Sequence, residues 1–212
     1  SDDGAGLVDG NLVWRGDVII SAEDVPLPGR AGLEDAIAAA CAALEYGVDR
    51  HAVARAIKSF RPLAHRLEVV AAADDITFVD DSKATNPHAT LSAVQGMSNV
   101  VLIAGGRAKG IDLSKLAETV PPVTGVVVLG EASDALAKVF EGLVPVTRAD
   151  SMLAAVRAAR SMVKRPGSVL LSPGCASLDM YESYAQRGED FARAVRAVIE
   201  GRSETGEMDG QS

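Results

Sequence analysis

Three short runs dominate the second half of the chain: NVVLIAG at 99–105, GVVVLG at 125–130 and SVLLSPG at 168–174. Each is apolar on consecutive positions rather than alternate ones. A strand reads that way when both of its faces are covered. ITFVDD at 76–81 and LVPVT at 143–147 belong to the same set. Between and after them, residues near 86–96, 113–120, 132–141 and 150–163 read as helices. Strands alternating with helices specify an α/β domain of Rossmann-like, doubly wound architecture with a mostly parallel sheet. RLEVVAAA (66–73) is expected to pair with ITFVDD through a turn at Asp74 and Asp75, and an amphipathic helix near 185–200 closes the domain.

The first part of the chain has another pattern. LVDGNLVWRGDVIIS (7–21) alternates apolar and polar residues around DGN and RGD, which signal hairpin turns. Pro26, Pro28 and Gly29 break it. Two helices are expected next: LEDAIAAACAALEYG (33–47), capped by Gly47, and VDRHAVARAIKSF (48–60), with Asp49 as N-cap and Pro62 as its stop. The expected divisions are therefore 1–64, 65–201 and a tail, RSETGEMDGQS (202–212), which has nothing to bury and is expected to be disordered.

Composition removes several classes of function. No run approaches the ~18 apolar residues of a membrane span, and no basic-then-apolar leader opens the sequence. A soluble, cytoplasmic, monomeric protein is expected. A net charge of −8 without a Lys/Arg cluster lacks the footprint of a nucleic-acid partner. Cys41 and Cys175 have no CxxC partner and read as small buried hydrophobes, and the scattered His and Cys residues give no metal-ligand spacing. GxxxxGK[ST] is absent; GGRAKG (105–110) has the wrong spacing and no hydroxyl residue after its lysine. There is no G-x-S-x-G and no GxGxxG either.

What remains is an unusual set of strand ends. ITFVDD runs into SKATN, VVLIAGG into RAKG, and SVLLSPG into CASLD. In open α/β sheets, ligands bind beyond the carboxyl ends of the strands, so these three loops should form one rim. Lys83, Arg107 and Lys109 bring positive charge there, and Ser82, Thr85, Ser172 and Ser177 bring hydroxyls. Helices expected to start near Asn86 and Asp179 would add backbone N–H groups suited to an anion. A small carboxylate- or phosphate-bearing ligand fits such a rim.

At HRLE, DDSKATN and LSPGCASLDMYESYAQRGEDF the sequence resembles the Mur ligases, most of all the MurD type, over about 29–200. The resemblance implies an ATP- and Mg²⁺-dependent ligase of three domains in peptidoglycan synthesis. It implies that residues 1–64 are the end of a central ATP-binding domain and that this chain is one portion of the whole, inactive alone, with the phosphate loop and most metal ligands elsewhere. In that type, UDP-N-acetylmuramoyl-L-alanine is activated as an acyl phosphate and attacked by the amine of D-glutamate. Carried onto this sequence, Arg66, Asp81 and Lys83 take catalytic places on the ATP side, and His65 supports the segment between domains. Thr85 and Lys109 hold the α-carboxylate of D-glutamate. Ser177, with the backbone at Leu178 and Tyr184, holds its side-chain carboxylate. Asn86 and Arg187 are supporting residues.

One stretch departs from the family pattern. G-x-H-N-x-x-N is here GRAGLED, with Ala31, Gly32 and Asp35 at amide and imidazole positions, so Asp35 is left to meet the adenine of ATP. Two other readings stay open: a sister Mur or folylpolyglutamate-type ligase, and a non-catalytic module that binds an amino acid.

Overall fold

The computed structural model describes residues 4–27, 29–61 and 63–201; Pro28, Pro62 and the tail expected to be disordered lie outside the described residues. The chain divides into two units between Leu63 and Ala64.

The first unit starts with β1 (Ala5–Val8), β2 (Asn11–Trp14) and β3 (Asp17–Ser21), paired antiparallel in that order. Both connections are two-residue turns, Asp9-Gly10 and Arg15-Gly16, with all four residues at positive φ. That conformation matches the twist of the flanking strands. Two helices follow, α1 (Gly29–Glu45) and α2 (Arg50–Ser59). α1 begins four residues before the expected Leu33. Asp49 caps α2 as expected, its Oδ1 accepting from Ala52 N at 3.0 Å. Leu12, Ile20, Ala36, Ala40, Leu44 and Val53 form this unit's core.

The second unit holds β4 (Glu68–Ala73), β5 (Ile76–Asp80), α3 (Pro87–Ala93), β6 (Val100–Gly105), β7 (Val123–Leu129), α4 (Ser133–Phe140), β8 (Val146–Arg148), α5 (Met152–Met162), β9 (Gly167–Leu171) and α6 (Tyr184–Ile199). The region expected as a helix at 113–120 is a 3-10 helix, Ser114–Thr119. The strands order as β4-β5-β9-β6-β7-β8. β4 runs antiparallel to β5, and every other pair is parallel.

The continuous apolar strands are explained by two cores. Val101, Ile103, Val127, Val169 and Leu171 face α5 and α6, where they meet Met152, Val156 and Phe191. Val100, Leu102, Val126, Val128 and Leu170 face the other way, toward Leu116, Leu136 and Phe140. Alternate residues of one strand thus serve opposite layers, the doubly wound arrangement expected from the sequence.

The order of the strands is what builds the rim. β9, last in sequence, lies between β5 and β6. The three polar strand ends therefore belong to three adjacent strands.

Candidate functional site

Backbone hydrogen bonds join the three loops directly. Asp81 N donates to Leu171 O at 2.8 Å, Gly174 N to Ala84 O at 3.0 Å, and Gly105 N to Pro173 O at 3.0 Å. Arg107 and Ala176 form a two-way antiparallel bridge, N to O at 2.8 and 3.1 Å. A Cβ on Gly106 would lie 2.2 Å from Ala176 O, so this close approach needs glycine.

Beneath the loops lies Arg187, only 2% exposed. Its Nε donates to Ser82 Oγ at 2.9 Å and Nη2 to Ser82 O at 2.9 Å. Nη1 donates to Gly105 O at 3.3 Å and Cys175 O at 3.2 Å. One guanidinium thus ties the ends of β5, β6 and β9 together. No carboxylate pairs with it among the described residues, and burial pulls its pKa down to about 10. Its four hydrogen bonds all go to neutral oxygens, the Asp179 and Asp80 carboxylates acting on it only electrostatically, and burying such a charge is costly.

α6 holds this arrangement by residues at i, i+3 and i+4 of one face, Tyr184, Arg187 and Gly188. Ser183 caps the helix through Gln186 N at 3.1 Å. No helix begins near Asp179, contrary to expectation. Residues 177–181 turn tightly instead, with Met180 N and Tyr181 N both donating to Ser177 O, and the helix waits for the cap at Ser183. Asp179 serves as a latch: its Oδ2 accepts from Glu131 N at 2.8 Å, while Oδ1 is buried without a hydrogen-bond partner.

The polar residues of the rim sort into two groups. The first is engaged inward. Asp80, 1% exposed, meets His65 Nδ1 at 2.7 Å and accepts from Ser82 N at 2.8 Å. Asp81, 7% exposed, accepts from Ser172 Oγ at 2.8 Å and Leu67 N at 3.3 Å. Burial raises the pKa of both carboxyls, that of Asp81 to about 6. Thr90 Oγ1 lies 3.1 Å from the Ser172 hydroxyl and completes the network. Both bonds of Asp81 thus run to residues of its own unit. Asn86 caps α3 through Ala89 N at 3.0 Å.

The second group has nothing to hold. Thr85, Lys109 and Ser177 make no side-chain hydrogen bond or ion pair within the described residues. Thr85 is half-buried, Lys109 exposed, and Ser177 buried by its loop with its hydroxyl still reaching solvent. Leu178 next to it is exposed. Lys83 is intermediate: its ammonium sits 3.8 Å from the centre of the Tyr184 ring. Arg66 is exposed and attracts the Asp81 carboxylate electrostatically. Arg107 is paired with Glu131 at 3.0 Å. Asp35 is exposed on α1 of the first unit.

Sequence spacing missed one cluster with ligand-like geometry, His65, Glu68 and Asp80. Its atoms already serve one another, since Glu68 Oε2 also accepts from His65 N at 2.9 Å. A histidine and two engaged carboxylates do not fit Mg²⁺, which takes oxygen ligands and waters. A cleft of about 420 Å³, lined by Gly130, Glu131, Asp134, Arg148 and Asp150, opens at the ends of β7 and β8, beside the rim.

A family model, "Mur ligase, glutamate ligase domain", matches residues 65–175, just over half of the 212. The chain belongs to the Mur ligase family. Among curated relatives, the UDP-N-acetylmuramoylalanine–D-glutamate ligase of Methylococcus capsulatus is 40% identical over 189 residues, covering 88% of this chain and 41% of the relative. The ligase of the same description from Mycobacterium tuberculosis is 39% identical, covering 92% and 48%. The chain thus spans less than half the length of these relatives. Among solved structures, UDP-N-acetylmuramate-alanine ligase MurC of Thermotoga maritima superposes with a TM-score of 0.59 over 81% of this chain and 39% of its own, at 15% identity. FolC of E. coli, in complex with DHPP and ADP, does so at 0.59 over 94% and 46%, at 20% identity. These two share the Mur ligase fold with this chain. No helix among the described residues is long and apolar enough to cross a membrane.

Proposed function

We propose that this chain supplies the D-glutamate side of an ATP-dependent ligase that adds D-glutamate to UDP-N-acetylmuramoyl-L-alanine in peptidoglycan synthesis. One observation carries the reading: Thr85, Lys109 and Ser177, on loops bonded to one another above a buried arginine, have side chains without a hydrogen-bond or ion-pair partner among the described residues. Two carboxylates need a cation and hydroxyl or N–H donors at two separated points, and these residues provide that. The names of the relatives at 39–40% identity support D-glutamate as the amino acid.

In this reading Lys109 and Thr85 bind the α-carboxylate, while Ser177 and the backbone at Leu178 and Tyr184 bind the side-chain carboxylate. The amine of D-glutamate is then held for attack on the activated carboxyl of the UDP-linked substrate, a gain that comes from orientation. When bound, ATP would supply the phosphoryl group that makes that carboxyl an acyl phosphate, with ADP released, and phosphate would leave as the amide bond forms. Lys83 and Arg66 offer positive charge on that side, and Asp35 a hydrogen-bond acceptor for adenine. The first unit is read as the end of the central ATP-binding domain. The ligands of Mg²⁺ belong to the part of the ligase that this chain does not span, and alone the chain is expected not to ligate. The work is cytoplasmic, on small molecules only.

The test is a chemical-shift titration of the chain with D-glutamate, L-glutamate, L-lysine and D-alanyl-D-alanine. Shifts at Thr85, Lys109 and Ser177 with D-glutamate alone are expected. An equal response to L-lysine would assign the rim to a sister ligase.

A further inference from the structure

The Tyr184 ring meets two groups. Lys83 places its Nζ 3.8 Å from the ring centroid. His65 is edge-on at 6.1 Å between centroids and an interplanar angle of 75°. His65 is anchored by Asp80, and its backbone O accepts from Lys83 N at 3.0 Å. Tyr184 O accepts from Ser82 Oγ at 2.7 Å, so the ring is attached to the same loop it contacts. A lysine stem has four rotatable bonds, and Lys83 has no carboxylate partner to select among its rotamers. The electron-rich ring face is what selects one.

We propose that the aromatic ring of Tyr184 is a positioning element for Lys83, holding its ammonium at the rim so that an anionic substrate meets a placed cation. This rests on the reading of Lys83 as a cation of the ATP side and concerns the side chain of Tyr184, whereas the proposed function used only its backbone. The phenol oxygen has no part in it, so phenylalanine should serve and an aliphatic side chain should not. The ring also sits at the first position of α6, one turn before Arg187, so the helix that ties the three loops together also sets where Lys83 points.

The 212-residue chain and its Tyr184→Leu and Tyr184→Phe variants distinguish this role from simple packing. In the native chain the ε-methylene protons of Lys83 should carry an upfield ring-current shift. Phe should keep it and Leu should lose it, while the Arg187 Nε–H resonance stays in place in all three. Binding of inorganic pyrophosphate, a probe of the ATP side on which Lys83 is read, should weaken about two- to fivefold in the Leu variant and hardly change in the Phe variant, the size of an exposed cation–π contact. Unmoved Lys83 resonances in the Leu variant would overturn the proposal, as would equal weakening by Leu and Phe. If the native chain ignores pyrophosphate while the Lys83 shift still follows the ring, the positioning role stands and the placing of Lys83 on the ATP side falls.

Discussion

Arg187 Nε donates to Ser82 Oγ at 2.9 Å across 105 residues of sequence, and that hydroxyl donates onward to Tyr184 O at 2.7 Å. The loop after β5 is thereby held at two points by the first turn of α6. The loops after β6 and β9 are held by the same guanidinium.

Replacing Arg187 by Met should leave Ser82 O, Gly105 O and Cys175 O without their donor. Orphaned buried acceptors cost about 1–3 kcal/mol each, partly offset by removing a desolvated charge. A net loss of about 3 kcal/mol in urea unfolding is expected, and about half that for Arg187→Lys. A Met variant as stable as the native chain would mean that the charge costs as much as its bonds contribute.

Gly188→Ala should be unfavourable in spite of its better helix propensity, worth ~1 kcal/mol. The added Cβ would stand 2.3 Å from His65 Nδ1 and 2.5 Å from Asp80 Oδ2. Both belong to a packed, hydrogen-bonded pair, so neither yields easily. A net loss of about 2 kcal/mol is expected, with displaced His65 ring resonances. A stabilised variant would contradict the close packing of α6 on this pair.

Asp81 makes stability depend on pH. Its folded pKa of about 6 lies above the ordinary 3.8, chiefly through burial, so the folded state binds this proton more tightly. The favourable contribution is full below the ordinary value and is lost as pH rises through the folded one. Above it, ionised Asp81 lowers stability by about 3 kcal/mol, at 1.36 kcal/mol per pKa unit. Asp80 acts in the same direction. Asp81→Asn keeps an acceptor for Leu67 N and removes the charge. Urea midpoints between about pH 4.5 and 7.5 should flatten in that variant, which should exceed the native chain in stability at the upper end. A native chain that gains stability over that range would refute this.

Lys109→Ala separates binding from folding. Lys109 is exposed and unpaired, so its removal should change stability by less than about 0.5 kcal/mol. D-glutamate affinity should fall by about tenfold or more, the worth of a charge-assisted contact. A variant that melted early with its binding intact would show Lys109 to be structural.

Much of this molecule is legible in its sequence. The strands stand out because Val100–Ala104 and Val126–Leu129 serve two cores and are apolar at every position. Asp49 and Asn86 are legible as caps because capping is decided within four residues. Strand order is another matter: nothing in the pattern of β9 says that it pairs with both β5 and β6. The helix expected at Asp179 fails because a carboxylate a few residues before an amphipathic run resembles a cap, while here it binds Glu131 N, 48 residues away. Asp81 and Thr85 both read as rim residues. Which of them turns inward depends on Ser172 and Thr90, and that is fixed only when the strands pair.

The position of β9 also sets a timetable. A chain growing from its N-terminus completes β5 and β6 before β9, yet these two strands are not neighbours and leave a strand-wide gap between them. The gap closes only when residues 167–171 emerge, and Arg187 follows 16 positions later. Until then the SKATN and RAKG loops have no common support, and none of the rim can be assembled in advance. Every nascent chain thus carries two exposed strand edges until β9 is made, edges open to pairing with other chains. The binding rim and the protection of those edges arrive together, with the same strand.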